Sequence, residues 1–234
     1  MRYRVNVISA GRPASVLTME PQVGPAYWYV PREEVGEYHQ VGAHMVVGIV
    51  GGLSAARNAA MEDSWNAGAI CIQTDDDLVG LKRMWNPKPV PLDFHAACRW
   101  MVFSGAATGA KLVGASPTGN PLNYRVPVQT HHTIIASLCA IFESEPRFRK
   151  DMSLKEDYDF TCQHIEAYGK VLRLEGILPN YRHYTNRGGA VARRTTEAEQ
   201  RAIELLKARW PQAIFDHPRR PNEVVLRWPK EVAV

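Results

Sequence analysis

Met45-Val-Val-Gly-Ile-Val50, then Gly51-Gly-Leu-Ser-Ala-Ala-Arg57-Asn58, then, past Gly68, Ala69-Ile-Cys-Ile-Gln-Thr-Asp75-Asp76-Asp77: this stretch decides the fold. An apolar strand runs into a glycine pair, and Ser54 reads as the N-cap of an alanine-rich helix that Gly68 closes. Residues 69–73 form a continuous apolar run, the pattern of a strand covered on both faces, and three aspartates stop it. Strand, loop, helix, strand and acidic stop make the βαβ unit of an α/β protein with parallel strands.

Upstream, Tyr3–Ile8 alternates like a strand and ends in Ser9-Ala-Gly11-Arg12-Pro13, a glycine-proline loop. Tyr27–Val30 is a second short strand, and Pro31 opens a helix with Glu33 and Glu34 in its first turn. Downstream, residues 85–93 carry three prolines and are expected to be a surface excursion without helix. Phe94–Ala107 reads as a helix stopped by Gly109, Lys111–Ala115 as a strand, and Thr133–Phe142 as a buried element. Ser153-Leu-Lys-Glu156 has the form of a capping box, with Ser153 the cap and the helix running to Tyr168. Thr196-Glu-Ala-Glu199 has the same form and starts a helix that ends near Trp210. Val171–Leu174 is a further strand, and 181–189 a polar loop ending in two glycines.

The 234 residues, 45% apolar and 22% charged, suit one domain, a core over 1–190 with a basic C-terminal helix and tail over 191–234 packed on it. The longest strongly apolar stretch, Met45–Val50, is far short of a bilayer span, and the N-terminus lacks a signal-peptide pattern. A cytoplasmic location is expected. Cys71, Cys98, Cys139 and Cys162 have neither zinc-site spacing nor the density of a disulfide scaffold, so all four read as buried thiols in reducing surroundings. The net charge of +4 is unevenly placed: residues 1–181 hold 17 basic and 18 acidic side chains, residues 182–234 hold 11 basic and 6 acidic. A basic tail suits a phosphate-rich partner or a solvated face.

Three carboxylates after a buried strand sit where ligands bind in open α/β sheets, and they repel one another unless a hard divalent cation offsets them. Asp75 and Asp77, two apart on extended backbone, point the same way, and Asp76 the other. Mg²⁺ or Mn²⁺ suits carboxylate donors, and its task there would be to neutralise a diphosphate. Gly51-Gly52 and the helix start bearing Arg57 suit phosphate contact, although the stretch lacks both the P-loop and the three-glycine dinucleotide pattern. Glu156 is explained by capping. Asp157 and Asp159 are not, and either is a candidate base or acceptor anchor. His183, in a loop after the last core strand, is a candidate metal ligand, and one of His131 and His132 could enter a site.

Ala56-Arg57-Asn58, Gln73-Thr-Asp75-Asp76-Asp77 and Lys155-Glu156-Asp157-Tyr158-Asp159-Phe160 together resemble glycosyltransferases of the GT-A type. More narrowly, they resemble the small phage enzymes associated with TET-like oxygenases, which transfer sugar onto 5-hydroxymethylcytosine in phage DNA. The resemblance spans roughly residues 3–190 and implies a GT-A-like, Rossmann-like mixed, mostly parallel sheet flanked by helices. It implies a UDP-linked donor of the glucose or N-acetylglucosamine type, contacted by Ser9, Gly11, Arg12, Arg57, Asp75 and Asp76. It further implies Mn²⁺ or Mg²⁺ on Asp75, Asp77 and His183, with Asp157 and Glu156 as catalytic groups beside the acceptor. Double-stranded DNA containing 5-hydroxymethylcytosine is then the partner, and Arg187, Arg193, Arg194, Arg219 and Arg220 are the phosphate contacts. Inversion and retention both stay open. The alternatives are a non-DNA acceptor, a metal-dependent phosphoryl or nucleotidyl transferase, and a non-catalytic nucleic-acid-binding module.

Overall fold

The computed structural model describes residues 1–85, 88–121, 124, 128–130, 133–182 and 195–229. His131, His132, His183, Arg187, Arg193 and Arg194 lie outside the described residues. The first half of the chain contains β1 (Tyr3–Ile8), α1 (Val16–Val23), β2 (Tyr27–Pro31), α2 (Val35–Gln40), β3 (Met45–Ile49), α3 (Gly52–Asn66) and β4 (Ile70–Asp75). It continues with β5 (Leu78–Trp85), β6 (Lys88–Pro91), α4 (Phe94–Thr108), β7 (Leu112–Ala115), β8 (Val128–Gln129) and β9 (Cys139–Ile141). The last elements are α5 (Glu156–Tyr168), β10 (Leu172–Leu174), β11 (Ile177–Tyr181), α6 (Thr196–Arg209), β12 (Ile214–Asp216) and β13 (Val224–Leu226).

The main sheet is mixed, mostly parallel and flanked by helices, with strand order β3-β2-β1-β4-β9-β7-β10-β8. β1, β2, β3 and β4 pair in parallel, as do β7 and β10, while β9 runs antiparallel between β4 and β7 and β8 runs antiparallel on β10. Alternation along each strand feeds two cores. Val5, Val7 and Ile72 join Met19 of α1 and Phe94, Cys98 and Met101 of α4 on one face. Ile8 and Cys71 join Met61 of α3, Phe160 and Ile165 of α5, and Ile203 and Leu206 of α6 on the other. Each fully buried large side chain contributes roughly 1.5–3 kcal/mol. The second core also includes Trp210, Ile214, Val224 and Leu226, so the C-terminal helix and the β12–β13 hairpin share it with the sheet. All four cysteines are buried and free. Among the described residues no helix is long and apolar enough to cross a membrane.

Several local expectations are corrected. Ser54 is not the cap of α3: the helix starts at Gly52, φ +79°, preceded by Gly51, φ +113°, values that favour glycine. Ser54 is buried inside the helix and donates to the Arg149 carbonyl at 3.0 Å. Ser153 does not cap α5, because the chain enters that helix through Lys155 in the left-handed region, φ +59°, which makes Glu156 the first helical residue. Capping of α6 falls to Thr195 rather than Thr196, with the Thr195 hydroxyl accepting from Ala198 N at 3.1 Å. The proline-rich segment after the acids holds no helix among its described residues, as expected, but Lys88–Pro91 forms a strand, β6, which pairs antiparallel with β5, and β11 completes a three-stranded sheet. Helix α1 carries Pro21 within it and had no sequence signal.

Candidate functional site

After β1 the chain builds β2 and β3 on one side of it, then returns as β4 on the other. The carboxyl ends of β1 and β4 therefore lie side by side, Ile8 opposite Asp75, at the point where the connections diverge and leave a crevice. The residues following each strand, Ser9–Arg12 and Asp75–Asp77, meet there.

Asp76 turns toward the β1 loop, as the alternation of extended backbone requires. Its buried carboxylate accepts from the Ser9 hydroxyl and pairs with Arg12 at 2.8 Å. Burial pushes the Asp76 carboxyl up to about 7; the Ser9 hydrogen bond and Arg12 oppose this, and Asp75 and Asp77 add to it. The Tyr38 hydroxyl also bonds Ser9 and accepts from Arg12 N, while Gly11 N donates to Glu34 at 2.6 Å. Ser9, Gly11, Arg12 and Asp76 thus form one braced loop over the crevice.

Asp75 turns the other way, toward Arg57 on α3. The guanidinium lies 2.9 Å from one Asp75 oxygen, and Ser137 donates to the other at 2.7 Å. Arg57 is buried, reaches Gln73 at 3.4 Å and lies 3.5 Å from Glu156 at the start of α5. Burial alone would lower the Arg57 pKa, but Asp75 and Glu156 outweigh it and hold the guanidinium charged. Burial pushes Glu156 up to about 7 and raises Asp157 as well, with Arg57 opposing both. Released from capping, Glu156 is directed at Arg57. Asp157 accepts from Tyr158 N at 2.9 Å.

Asp77 is half-buried, and its carbonyl accepts from Arg182 N at 2.9 Å, which ties the end of β11 to the acidic turn. Tyr181 stands in the same corner: burial raises its phenol pKa, with Asp75 next in effect and Ser137 and Thr74 opposing. Ser137 and Tyr181 were missed in the sequence because neither sits in a recognisable pattern. Asp159, by contrast, belongs to the scaffold. Its carboxylate, 1% exposed, accepts from Arg149 at 2.8 Å, Trp210 Nε1 at 2.9 Å and Gln163 at 2.9 Å. Arg219 and Arg220 lie exposed between β12 and β13, with Arg220 paired to Glu223 at 3.2 Å.

Among the described residues no group of three or more His, Cys, Asp or Glu side chains is placed to hold a metal ion. An oxygen-only pair such as Asp75 and Asp77 fits a hard cation that takes one or two carboxylates and completes its shell with water and phosphate oxygens. Such an ion would compete with Arg57 for Asp75. No protein-family model matches the chain, and no curated protein matches it in sequence.

Proposed function

We propose that the chain is a metal-dependent glycosyltransferase of the GT-A type, moving a sugar from a UDP-linked donor to the hydroxymethyl group of 5-hydroxymethylcytosine in DNA. The observation that carries it is the convergence of Asp75 and Glu156 on the buried Arg57 at the switch point of the sheet. That arrangement gathers cation, acid and base candidates from three separate elements. A Mg²⁺ or Mn²⁺ ion bound by Asp75 and Asp77 would offset the charge of a diphosphate leaving group.

The residues of the chain do the rest. The loop Ser9–Arg12, braced by Asp76 and Tyr38, binds and orients the nucleotide at the end of β1. Arg57 keeps a fixed positive charge beside the diphosphate position. Glu156, with its pKa near 7, takes the acceptor hydroxyl proton on a carboxylate oxygen, and Asp157 orients the acceptor beside it. Arg182, bonded to the acidic turn, leads directly into His183, the remaining candidate ligand, which lies outside the described residues. Arg219 and Arg220 supply exposed positive charge for a polyanionic acceptor.

The test incubates the protein with Mn²⁺, a panel of nucleotide sugars, and DNA containing either cytosine or 5-hydroxymethylcytosine, followed by nucleoside mass analysis. A hexose or N-acetylhexosamine mass gain confined to the hydroxymethylated DNA supports the proposal. A nucleotide or phosphate mass gain instead assigns the same residues to nucleotidyl or phosphoryl transfer.

A further inference from the structure

The hairpin that follows the acidic turn has a composition unlike the rest of the core. Residues 78–92 contain no acid and three cations, Lys82, Arg83 and Lys88. Among the described residues none of the three has an acidic partner, and Lys82 and Lys88 are exposed. Trp85, at the end of β5, is 61% exposed, a large area of indole to leave in water. The Arg83 guanidinium lies 4.5 Å from the centre of that ring and covers one face of it.

The pairing pattern leaves the last residues of this end at the margin of the sheet. β11 accompanies β5 as far as Arg83 and the Gly176 carbonyl still accepts from Met84 N at 3.0 Å, whereas β6 continues to Trp85, paired with Lys88. Only the Trp85–Lys88 pair at the tip is therefore two-stranded. β6 is the sheet edge, and Pro89 and Pro91 stand in it without N–H groups to offer. An edge interrupted in that way is a poor template for β-pairing with a second copy or another protein strand. Cations without counter-charges, beside an aromatic face open on one side, match a strand of alternating phosphates and bases.

We infer that the β5–β6 ribbon is a nucleic-acid contact for a single DNA strand, with Arg83 and Lys88, which share a face with Trp85, on phosphates and Trp85 stacked on an unpaired base. The inference deepens the proposed function, from which it takes its polynucleotide, but it stands on different residues. β5 begins directly after Asp77, and eight residues of strand reach about 26 Å. One DNA molecule can thus occupy the crevice and the ribbon together.

The test uses the full chain in chelator, without donor, and a fluorescein-labelled 12-nucleotide single strand, read by anisotropy across a salt series with the matching duplex in parallel. Trp85→Ala weakens single-strand binding about tenfold and Trp85→Phe restores most of it. Replacing Arg83 and Lys88 together by Ala flattens the log affinity against log salt slope by about 1.4. Unchanged affinity and slope in these variants overturn the inference. So does a wild-type protein that binds no DNA, binds only the duplex, or self-associates through Trp85 in sedimentation without a DNA effect. Sugar transfer to hydroxymethylated DNA by the intact protein, measured in a separate reaction with Mn²⁺ and donor, separates the two proposals. Transfer with ribbon-independent DNA binding removes the inference alone, and ribbon-dependent binding without transfer removes the proposed function alone.

Discussion

Arg57 on α3 holds Asp75 at 2.9 Å and Glu156 at 3.5 Å, so one buried guanidinium joins the end of β4 to the start of α5. Without it, acids from two distant parts of the chain would face one another in a poorly solvated corner. The consequences for stability and for chemistry can be measured separately.

Arg57→Met leaves those carboxylates without a counter-charge, a change that costs about 3–5 kcal/mol at a buried pair. The cost depends on pH. Burial raises the Glu156 pKa to about 7, so near pH 5 Glu156 is protonated and carries no charge for Arg57 to offset, whereas near pH 8.5 it is ionised in the intact protein. Urea denaturation at the two pH values is expected to show a larger loss at the higher one.

Asp77→Asn is expected to remove most transfer activity, on the order of a hundredfold, and chelator should do the same to the intact protein. Asp75→Asn should lower activity and stability together, because Asp75 is also the partner of Arg57 and Ser137. Transfer assays paired with thermal melts distinguish these outcomes.

Glu156 must be ionised to accept a proton. Turnover is therefore expected to rise with pH through about 7 and then level off. Glu156→Gln should remove that rise and lower turnover about a hundredfold or more, with a smaller effect on donor affinity. A pH–rate profile beside a donor titration checks both.

His164 is fully buried, with Nδ1 donating to the Phe160 carbonyl and Nε2 accepting from Ser144. Burial lowers its pKa to about 4 from 6.5. Between these values the unfolded chain binds a proton that the folded one does not. His164 therefore favours the folded state fully above pH 6.5 and loses about 3 kcal/mol of that contribution as pH falls to 4. Subtracting the pH–stability curve of His164→Gln from that of the intact protein should reveal this limb.

Gly105→Ala tests close packing against helix propensity. Propensity favours alanine by about 1 kcal/mol. A Cβ at Gly105 would, however, stand 2.3 Å from Phe142 and 2.9 Å from Val113, where α4 meets the sheet. Overpacking costs about 1–3 kcal/mol, so chemical denaturation should show a net loss.

The amino-acid sequence alone determined the elements whose signals are local. Apolar runs and alternation marked β1 through β4, Gly109 and Gly169 closed α4 and α5, and the acid stop marked the carboxyl edge of the sheet. Capping was less legible: Ser54, Ser153 and Thr196 have suitable side chains, but a cap also needs a particular backbone entry, and Gly51, Lys155 and Thr195 hold those positions. The β5–β6 ribbon was hidden by prolines that an edge strand tolerates and a central one does not. Tertiary structure alone decided that Asp76 faces Ser9 and Arg12, that Glu156 faces Arg57, and that Ser137 and Tyr181 stand beside Asp75. Those pairings join residues far apart in the chain, and they follow from strand order and register, which no local pattern of side chains encodes.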